Sequence, residues 1–216
     1  MSYQRYLDIH LGQDFGVATF KNDVAEQTKY QETKGVDYRS MVVDEISVTR
    51  KIKLSELSKN IEWVCGADKP NGGKLRINSH GDTRGTLSTN TKGSGTLAVD
   101  FAKYLALHGL KSEAMGKPGL TTINLACCYA AMGPEKDWMI KAFADELKLP
   151  GVKVTGAAAI TRIVKGKLQV RYEAYVPPHK RPKTYVPPHL RKPTMAVSDF
   201  SGSVFKKSYT YAGGGV

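Results

Sequence analysis

The chain of 216 residues is long enough for one globular domain with a real core, and too short for two complete domains of ordinary size. Its hydrophobic content of 41% and charged content of 24% are typical of a folded, water-soluble protein. The apolar runs are far shorter than the roughly 20 residues of a membrane-spanning helix, and the first residues lack the apolar core of a secretory signal. We therefore expect a cytoplasmic protein, or one exported without a recognisable signal peptide into the cytosol of a host.

The net charge of +12 is concentrated in the last third of the sequence. Residues 1–150 hold 20 Lys and Arg against 18 Asp and Glu, whereas residues 151–216 hold 12 against 2. This asymmetry favours a polyanionic partner for the C-terminal part, such as nucleic acid, an acidic membrane surface or a polyphosphate. The alternative is a basic tail that is simply solvated.

Residues 1–109 contain both alternating and helical patterns. Residues 1–50 are expected to form short strands and turns. The clearer segments that follow from the sequence are, in order, a strand at 40–48, a helix at 54–64, a strand at 74–80, a loop at 81–95 and a helix at 96–109.

Residues 120–216 begin with a strand at 120–133 and a helix that starts at Pro134. Residues 151–175 have the pattern of a strand followed by a hairpin that turns at Lys165 and Gly166. The last residues, after the proline-rich stretch, are expected to be disordered.

Reactive side chains follow two strands of this pattern. The stretch "KLRINSHGD" ends its alternation at His80, and "LTTINLACCYA" ends at the pair Cys127 and Cys128. A helix separates the two strands, and strand, helix, strand is the unit that places two parallel strands side by side. Since functional side chains collect at the carboxyl ends of such strands, the imidazole and a thiol are expected to meet there.

A thiol beside an imidazole is the basis of nucleophilic catalysis on carbonyl groups. The thiolate attacks, and the histidine acts first as a base and then as the acid that protonates the leaving amine. The oxyanion needs two donors, which the backbone N–H groups of Gly81 and Cys128 can supply. The odd number of cysteines, three, favours reduced thiols, and adjacent cysteines alone do not make a metal site. We expect no metal and no required cofactor.

The segments "INSHGD" and "INLACCYA", with a helix between them, resemble the caspase-fold (clan CD) cysteine peptidases, nearest the autoprocessing cysteine protease domains of bacterial toxins and effectors. The separation of 48 positions between His80 and Cys128 is close to the roughly 50 of caspases. The resemblance implies an α/β fold, a three-layer α/β/α sandwich with a mostly parallel central sheet. It also implies a cysteine endopeptidase that cleaves peptide bonds in a protein or peptide substrate.

The identity of the nucleophile depends on the register of the strand. In the family pattern the last large apolar residue stands three positions before the catalytic cysteine, so Leu125 selects Cys128. Matching on the small residue just before the cysteine, Ala126, selects Cys127 instead. We favour Cys128, because successive residues of a strand point to opposite faces and the Leu125 register keeps the apolar block aligned. Cys127 remains the alternative nucleophile.

The toxin domains of this fold are activated by inositol hexakisphosphate, which the resemblance suggests as an activator here. The hairpin after the catalytic cysteine carries four cations that such a polyphosphate would contact: Arg162, Lys165, Lys167 and Arg171.

The sequence also contains a proline-rich duplication, "YVPPHKR" at 175–181 and "YVPPHLR" at 185–191. Prolines at this density favour an extended polyproline II conformation. We therefore divide the chain into a peptidase domain at 1–174, including the basic hairpin, and a basic tail at 175–216. The repeated segment resembles one in the extensions of eukaryotic DEAD-box RNA helicases that contacts translation factors. The alternative function is thus a catalytically silent binding module that recruits RNA or a host translation factor through the repeats.

Overall fold

The computed structural model describes residues 3–11, 17–43, 54–67, 72–82, 85–88, 95–110, 119–132, 135–158, 160–164, 167–171, 199–200 and 206–212. The strands in these ranges are β1 Arg5–Leu11, β2 Asp37–Val43, β3 Gly73–Asn78, β4 His80–Gly81, β5 Thr86–Ser88, β6 Gly95–Leu97, β7 Leu120–Ala126, β8 Lys153–Ala157, β9 Ile160–Val164, β10 Lys167–Arg171, β11 Asp199–Phe200 and β12 Lys206–Thr210. The α-helices are α1 Val17–Glu32, α2 Leu54–Cys65, α3 Ala98–Leu107 and α4 Met139–Leu147, and a 3₁₀ turn covers Glu135–Asp137.

Six strands form the central sheet, in the order β12-β8-β7-β3-β1-β2. All neighbours are parallel except β12, which runs antiparallel to β8 at one edge. Two three-stranded sheets, β4-β5-β6 and β9-β10-β11, accompany it. The mixed α/β class with a mostly parallel central sheet is therefore confirmed.

The helices connect the parallel strands and cover the sheet. α2, α3 and α4 belong to connections that lead toward β12, whereas α1 leads from β1 to β2 in the opposite direction. Because such connections are right-handed, α1 lies on the face opposite to the other three. Among the described residues, no helix is both long and apolar enough to cross a bilayer.

The two faces of the sheet differ in character because side chains alternate along each strand. One row across the sheet joins Leu7, Leu75, Ile123 and Val154, which are all buried under α2, α3 and α4. The neighbouring row, on the other face, joins Ser40, Asp8, Arg76, Asn124, Thr155 and Ser208. The sheet thus has one apolar face and one polar face.

A buried ion pair lies at the centre of the polar face. Asp8 and Arg76 are opposite each other on β1 and β3, and both are almost fully buried. The Arg76 guanidinium binds both carboxylate oxygens, with Nε 2.7 Å from Oδ1, and Tyr38 donates a further hydrogen bond of 2.8 Å to Oδ2. A buried carboxylate is tolerated only when it is hydrogen-bonded as fully as this one. Because the partners of Asp8 stand on β2 and β3, the interaction holds β2, β1 and β3 in one alignment.

The helix α1 replaces the short strands and turns expected for this part of residues 1–50, and that expectation was wrong. Its buried positions include Gln27 and Gln31. Because polar residues occupy buried positions, the apolar period that identifies an amphipathic helix is missing from the sequence.

Two other expectations have different outcomes. The predicted loop at 81–95 contains β5, and β6 begins at its end, so that it pairs with β4 instead of remaining irregular. The predicted hairpin is supported, because β9 pairs antiparallel with β10, while its turn residues Lys165 and Gly166 lie outside the described residues. The division at residue 174 remains a prediction, although β12, from the expected tail, forms an edge of the central sheet.

The buried His10 should make the stability depend on pH. Burial, with a smaller contribution from the nearby Arg76, lowers its pKa from 6.5 to about 4, although Asp8 opposes the shift. The folded state therefore binds a proton at His10 less readily than the unfolded state does. The contribution of the neutral His10 to the free energy of unfolding is complete above pH 6.5 and is lost as the pH falls toward 4. We expect a loss of up to roughly 3 kcal/mol, measured by urea unfolding at pH 7 and pH 4.5.

In His10→Gln the difference in the free energy of unfolding between pH 7 and pH 4.5 should shrink by most of that amount. The matched control is His80→Gln, which removes an exposed histidine and should leave the difference in place. An unchanged pH dependence in His10→Gln would show that other groups cause it.

Candidate active site

The parallel register of β3 and β7 brings the two predicted reactive residues to one place. Asn78 and Ala126 are paired at the carboxyl ends of these neighbouring strands. His80 and Cys128 each follow two positions later, so both lie at the same rim of the sheet. Beyond these two residues the chain leaves the central sheet, since His80 begins β4 of a small separate sheet and Cys128 lies in a turn.

Gly81 lies directly against the cysteine segment. A Cβ atom added at Gly81 would lie 2.3 Å from the carbonyl oxygen of Cys128 and 3.2 Å from the Sγ atom of Cys127. Only a residue without a side chain permits this approach. The backbone after β3 and the backbone after β7 are therefore in direct contact at the position that the sequence pattern selected.

His80 is held on a small sheet of its own. It begins β4, pairs with Ser88 of β5, and has an exposed side chain. Asp82 closes the turn that follows, since its Oδ1 accepts a hydrogen bond of 3.2 Å from the Thr86 N–H, and its own N–H donates to the Thr86 carbonyl at 3.3 Å. Asp82 therefore acts as a turn-forming residue.

The two adjacent cysteines have different surroundings. Cys127 is fully buried, its Sγ lies 3.7 Å from the Sδ of Met139 in α4, and burial, followed by the neighbouring Cys128, raises the pKa of its thiol well above the ordinary value. Cys128 is half-buried at the rim. A buried thiol with a raised pKa forms little thiolate, so these surroundings favour Cys128 as the reactive residue.

The turn that carries Cys128 is strained and firmly held. Tyr129 has a φ of 61°, a left-handed conformation that costs a residue with a side chain on the order of 1 kcal/mol. Backbone hydrogen bonds of 3.0 Å fix the following residues, from the Ala131 N–H to the Ala157 carbonyl and from the Ile140 N–H to the Ala130 carbonyl. The sequence analysis did not single out Tyr129, because no residue pattern reveals a left-handed tyrosine.

The phenol of Tyr129 belongs to the same rim. Burial, and secondly the Cys128 thiol, raise the pKa of Tyr129, so the phenol is neutral near pH 7. The same rim therefore carries an imidazole, a half-buried thiol and a neutral phenol. Such a set is suited to acyl transfer.

The four predicted activator contacts, Arg162, Lys165, Lys167 and Arg171, have side chains outside the described residues, as does the repeat at 175–191 with its two histidines. His108 is buried, with Nδ1 3.2 Å from the Ser58 Oγ, and lines a cavity of about 530 Å³ with Cys65. Cys65 ends α2 beside the first residues of β7, far from the rim, and burial raises its pKa to about 12.

Replacing Gly81 should damage the site more than the fold. In Gly81→Ala the new methyl group would force the Cys128 carbonyl to move, and overpacking of this kind costs about 1 to 3 kcal/mol. We expect the rate of Cys128 alkylation by iodoacetamide to change at least severalfold, as measured by mass spectrometry of the labelled peptide.

The control is Gly151→Ala, whose glycine has a φ of 76° and open space around it. It should lose about 1 kcal/mol through backbone strain and keep the wild-type labelling rate. Equal labelling rates in both variants would contradict the close contact between the two segments.

Comparison with known proteins gives limited similarity. No protein-family model matches the chain, and no curated protein does. Among solved structures, the chain is similar to a secreted C11 cysteine protease from Bacteroides thetaiotaomicron in complex with an irreversible peptide inhibitor, with a TM-score of 0.41 and 12% sequence identity. The similarity covers 76% of this chain and 51% of that chain, so the chain spans about half the length of that protease.

Proposed function

We propose that the protein is a cysteine endopeptidase in which His80 and Cys128 form the catalytic dyad. The observation that carries the proposal is the register of β3 and β7, which ends both strands at one rim, two positions before His80 and Cys128. The close packing of Gly81 on Cys128 supports it, since it brings together the two residues whose N–H groups would donate to the oxyanion.

The reaction follows from these groups. His80 removes the thiol proton, and the Cys128 sulfur forms a bond to the carbonyl carbon of the substrate while the carbonyl electrons move to oxygen. The N–H groups of Gly81 and Cys128 donate to that oxyanion. Its collapse breaks the C–N bond, and the imidazolium gives its proton to the leaving amine. Water, deprotonated by His80, then hydrolyses the thioester and restores the thiol.

The dyad assignment predicts opposite behaviour of the two adjacent cysteines. Cys128→Ala should lower hydrolysis of a quenched fluorescent peptide library by at least about a thousandfold, because the nucleophile is gone. Cys127→Ala should retain activity within a few fold, since this thiol packs against Met139. Both variants should be compared with Cys65→Ala, which lies far from the rim.

Loss of hydrolysis in Cys127→Ala alone would reverse the assignment of the nucleophile. No hydrolysis by the wild type, with or without an activator, together with slow uniform alkylation of all thiols, would favour the catalytically silent binding module instead.

We further propose a polyphosphate activator, with inositol hexakisphosphate as the probe, and a role as a bacterial effector. Among the described residues, the polyphosphate proposal is supported by three lysines on the polar face of the sheet. Lys74, Lys153 and Lys206 lie on this face by register. Burial first, and then the nearby Arg76 and Lys206, lower the pKa of Lys74 to about 8. Cations that lower one another's pKa in this way are stabilised by a bound polyanion.

Inositol hexakisphosphate should therefore raise the melting temperature and increase the rate of peptide hydrolysis. Binding at 100 times its Kd corresponds to about 2.7 kcal/mol of added stability. In Lys206→Gln the shift in melting temperature should shrink, whereas Lys136→Gln, an exposed position on the 3₁₀ turn, serves as the matched control for the loss of one charge. Differential scanning fluorimetry with inositol as the neutral comparison measures both, and equal shifts in the two variants would remove this face from the activator site.

A further inference from the structure

A cavity of about 530 Å³ lies between the C-terminal ends of two helices, α2 and α3. Ser58, Glu62 and Cys65 of α2 line it on one side, and Leu107 and His108 at the end of α3 line it on the other. Sites for small molecules in proteins are clefts of roughly 300 to 1,000 Å³ that combine apolar walls with a few fixed polar groups. The size of the cavity is therefore that of a small-molecule site.

The cavity lies at the opposite end of the sheet from the proposed dyad. The Cys65 carbonyl accepts a hydrogen bond of 2.8 Å from the N–H of Gly119, which directly precedes β7. His80 and Cys128, by contrast, follow the carboxyl ends of β3 and β7. Since β7 has seven residues and a strand rises about 3.3 Å per residue, the two ends are roughly 20 Å apart. A ligand in the cavity would therefore not occupy the peptidase site.

The inner polar groups of the cavity are fixed by the fold. His108 is 3% exposed, and its Nδ1 atom lies 3.2 Å from the Ser58 Oγ. Its ring packs edge-on against Tyr104, with 4.6 Å between the ring centroids. A hydroxyl and an imidazole held in this way form a preorganised polar surface, which orients a ligand without a further loss of side-chain entropy.

The charge of the cavity is negative. Among the described residues that line it, Glu62 supplies an exposed carboxylate and none is a lysine or an arginine. The C-terminal ends of α2 and α3 add partial negative charge, and neither helix has a basic residue in its last turn. Arg5 reaches Gly66 at the end of α2, but its guanidinium already donates to the Trp63 carbonyl at 2.7 Å. The cavity is therefore suited to a cation.

An apolar wall accompanies this charge. Leu107 lines the cavity with a side chain that is 74% exposed, the largest value among the large hydrophobic residues that the structure describes. Cys65 is half-buried, and burial raises the pKa of its thiol to about 12, so it adds a neutral surface. An exposed leucine alone needs no explanation, but a leucine on a cavity wall offers apolar area that a bound ligand removes from water.

We propose that this cavity binds a small organic cation. The ammonium group of the ligand pairs with the Glu62 carboxylate, its apolar body lies against Leu107, and the Ser58 and His108 pair sets its orientation. Binding forms no covalent bond. The proposal is independent of the peptidase function, because no group of the proposed dyad takes part in it.

Phenethylamine, which has an ammonium group on a short apolar body, is the probe. Its Kd is measured by isothermal titration calorimetry of the full chain. Cys65 serves as a reporter through its rate of modification by methyl methanethiolsulfonate, followed by mass spectrometry of the labelled peptide. At about four times its Kd, phenethylamine should lower that rate about fivefold, because about four fifths of the cavities are then occupied. The rate at Cys128 in the same samples should stay unchanged.

Three comparison compounds separate the contributions to binding. 2-Phenylethanol has the same body without the charge, phenylacetate carries the opposite charge, and ammonium chloride supplies the charge without the body. Each should bind at least about threefold more weakly than phenethylamine, since each lacks the ion pair or the apolar contact.

Two substitutions test the named residues. Glu62→Gln should weaken the binding of phenethylamine about threefold and bring its Kd close to that of 2-phenylethanol. Leu107→Ser should weaken the binding of both compounds about threefold. The matched control is Glu56→Gln, which removes an exposed carboxylate of the same helix that does not line the cavity, and it should leave both Kd values unchanged.

The proposal is overturned if the wild type shows no saturable binding of phenethylamine, if phenylacetate protects Cys65 equally, or if Glu62→Gln and Glu56→Gln have equal Kd values. An equal fall in the labelling of Cys65 and Cys128 would also overturn it, since binding would then not be confined to the cavity. Where Cys65 reacts too slowly with the reagent, calorimetry alone decides. Failure of the proposed peptidase function would be seen separately, as absent peptide hydrolysis by the wild type.

Discussion

The alignment of β3 with β7 is the constraint on which the candidate site depends. Pairing of Asn78 with Ala126 brings the carboxyl ends of both strands to one rim. A slip of one position would move these ends out of line and turn the side chains of one strand to the opposite face, because the side-chain period of a strand is two residues. Gly81 reinforces the alignment at the rim, since its contact with the Cys128 carbonyl leaves no room for a different register.

The polar face of the sheet gives this alignment a second support. Asp8 and Arg76 satisfy each other only when β1 and β3 are in their observed register, and Tyr38 extends the same network to β2. A buried pair of this kind adds little net stability compared with an apolar pair, but a shifted register would leave its charges uncompensated. The network therefore specifies the register of the strands. Most of the stabilisation comes from the apolar face of the sheet.

The two cysteines show how neighbouring residues of one type acquire different chemistry. Alternation sends Cys127 into the core against α4, where the thiol contributes packing, and leaves Cys128 on the turn at the rim. The turn keeps a left-handed tyrosine because backbone hydrogen bonds to β8 and α4 fix its far end. Strain stored beside a reactive group, and held by the surrounding structure, is a common property of functional sites.

The sequence by itself determined the strands around the site and the residues that end them, because alternation, glycines and prolines are local signals. His80, Gly81 and the cysteine pair were all placed at strand ends without the structure. The structure decided the rest: α1 was hidden because Gln27 and Gln31 occupy its buried side, and β12 pairs with β8 across a sequence distance that no local pattern spans. The surroundings of the two thiols, and the cavity between the ends of α2 and α3, likewise depend on which side chains meet in three dimensions, which is a property of packing that no short segment encodes.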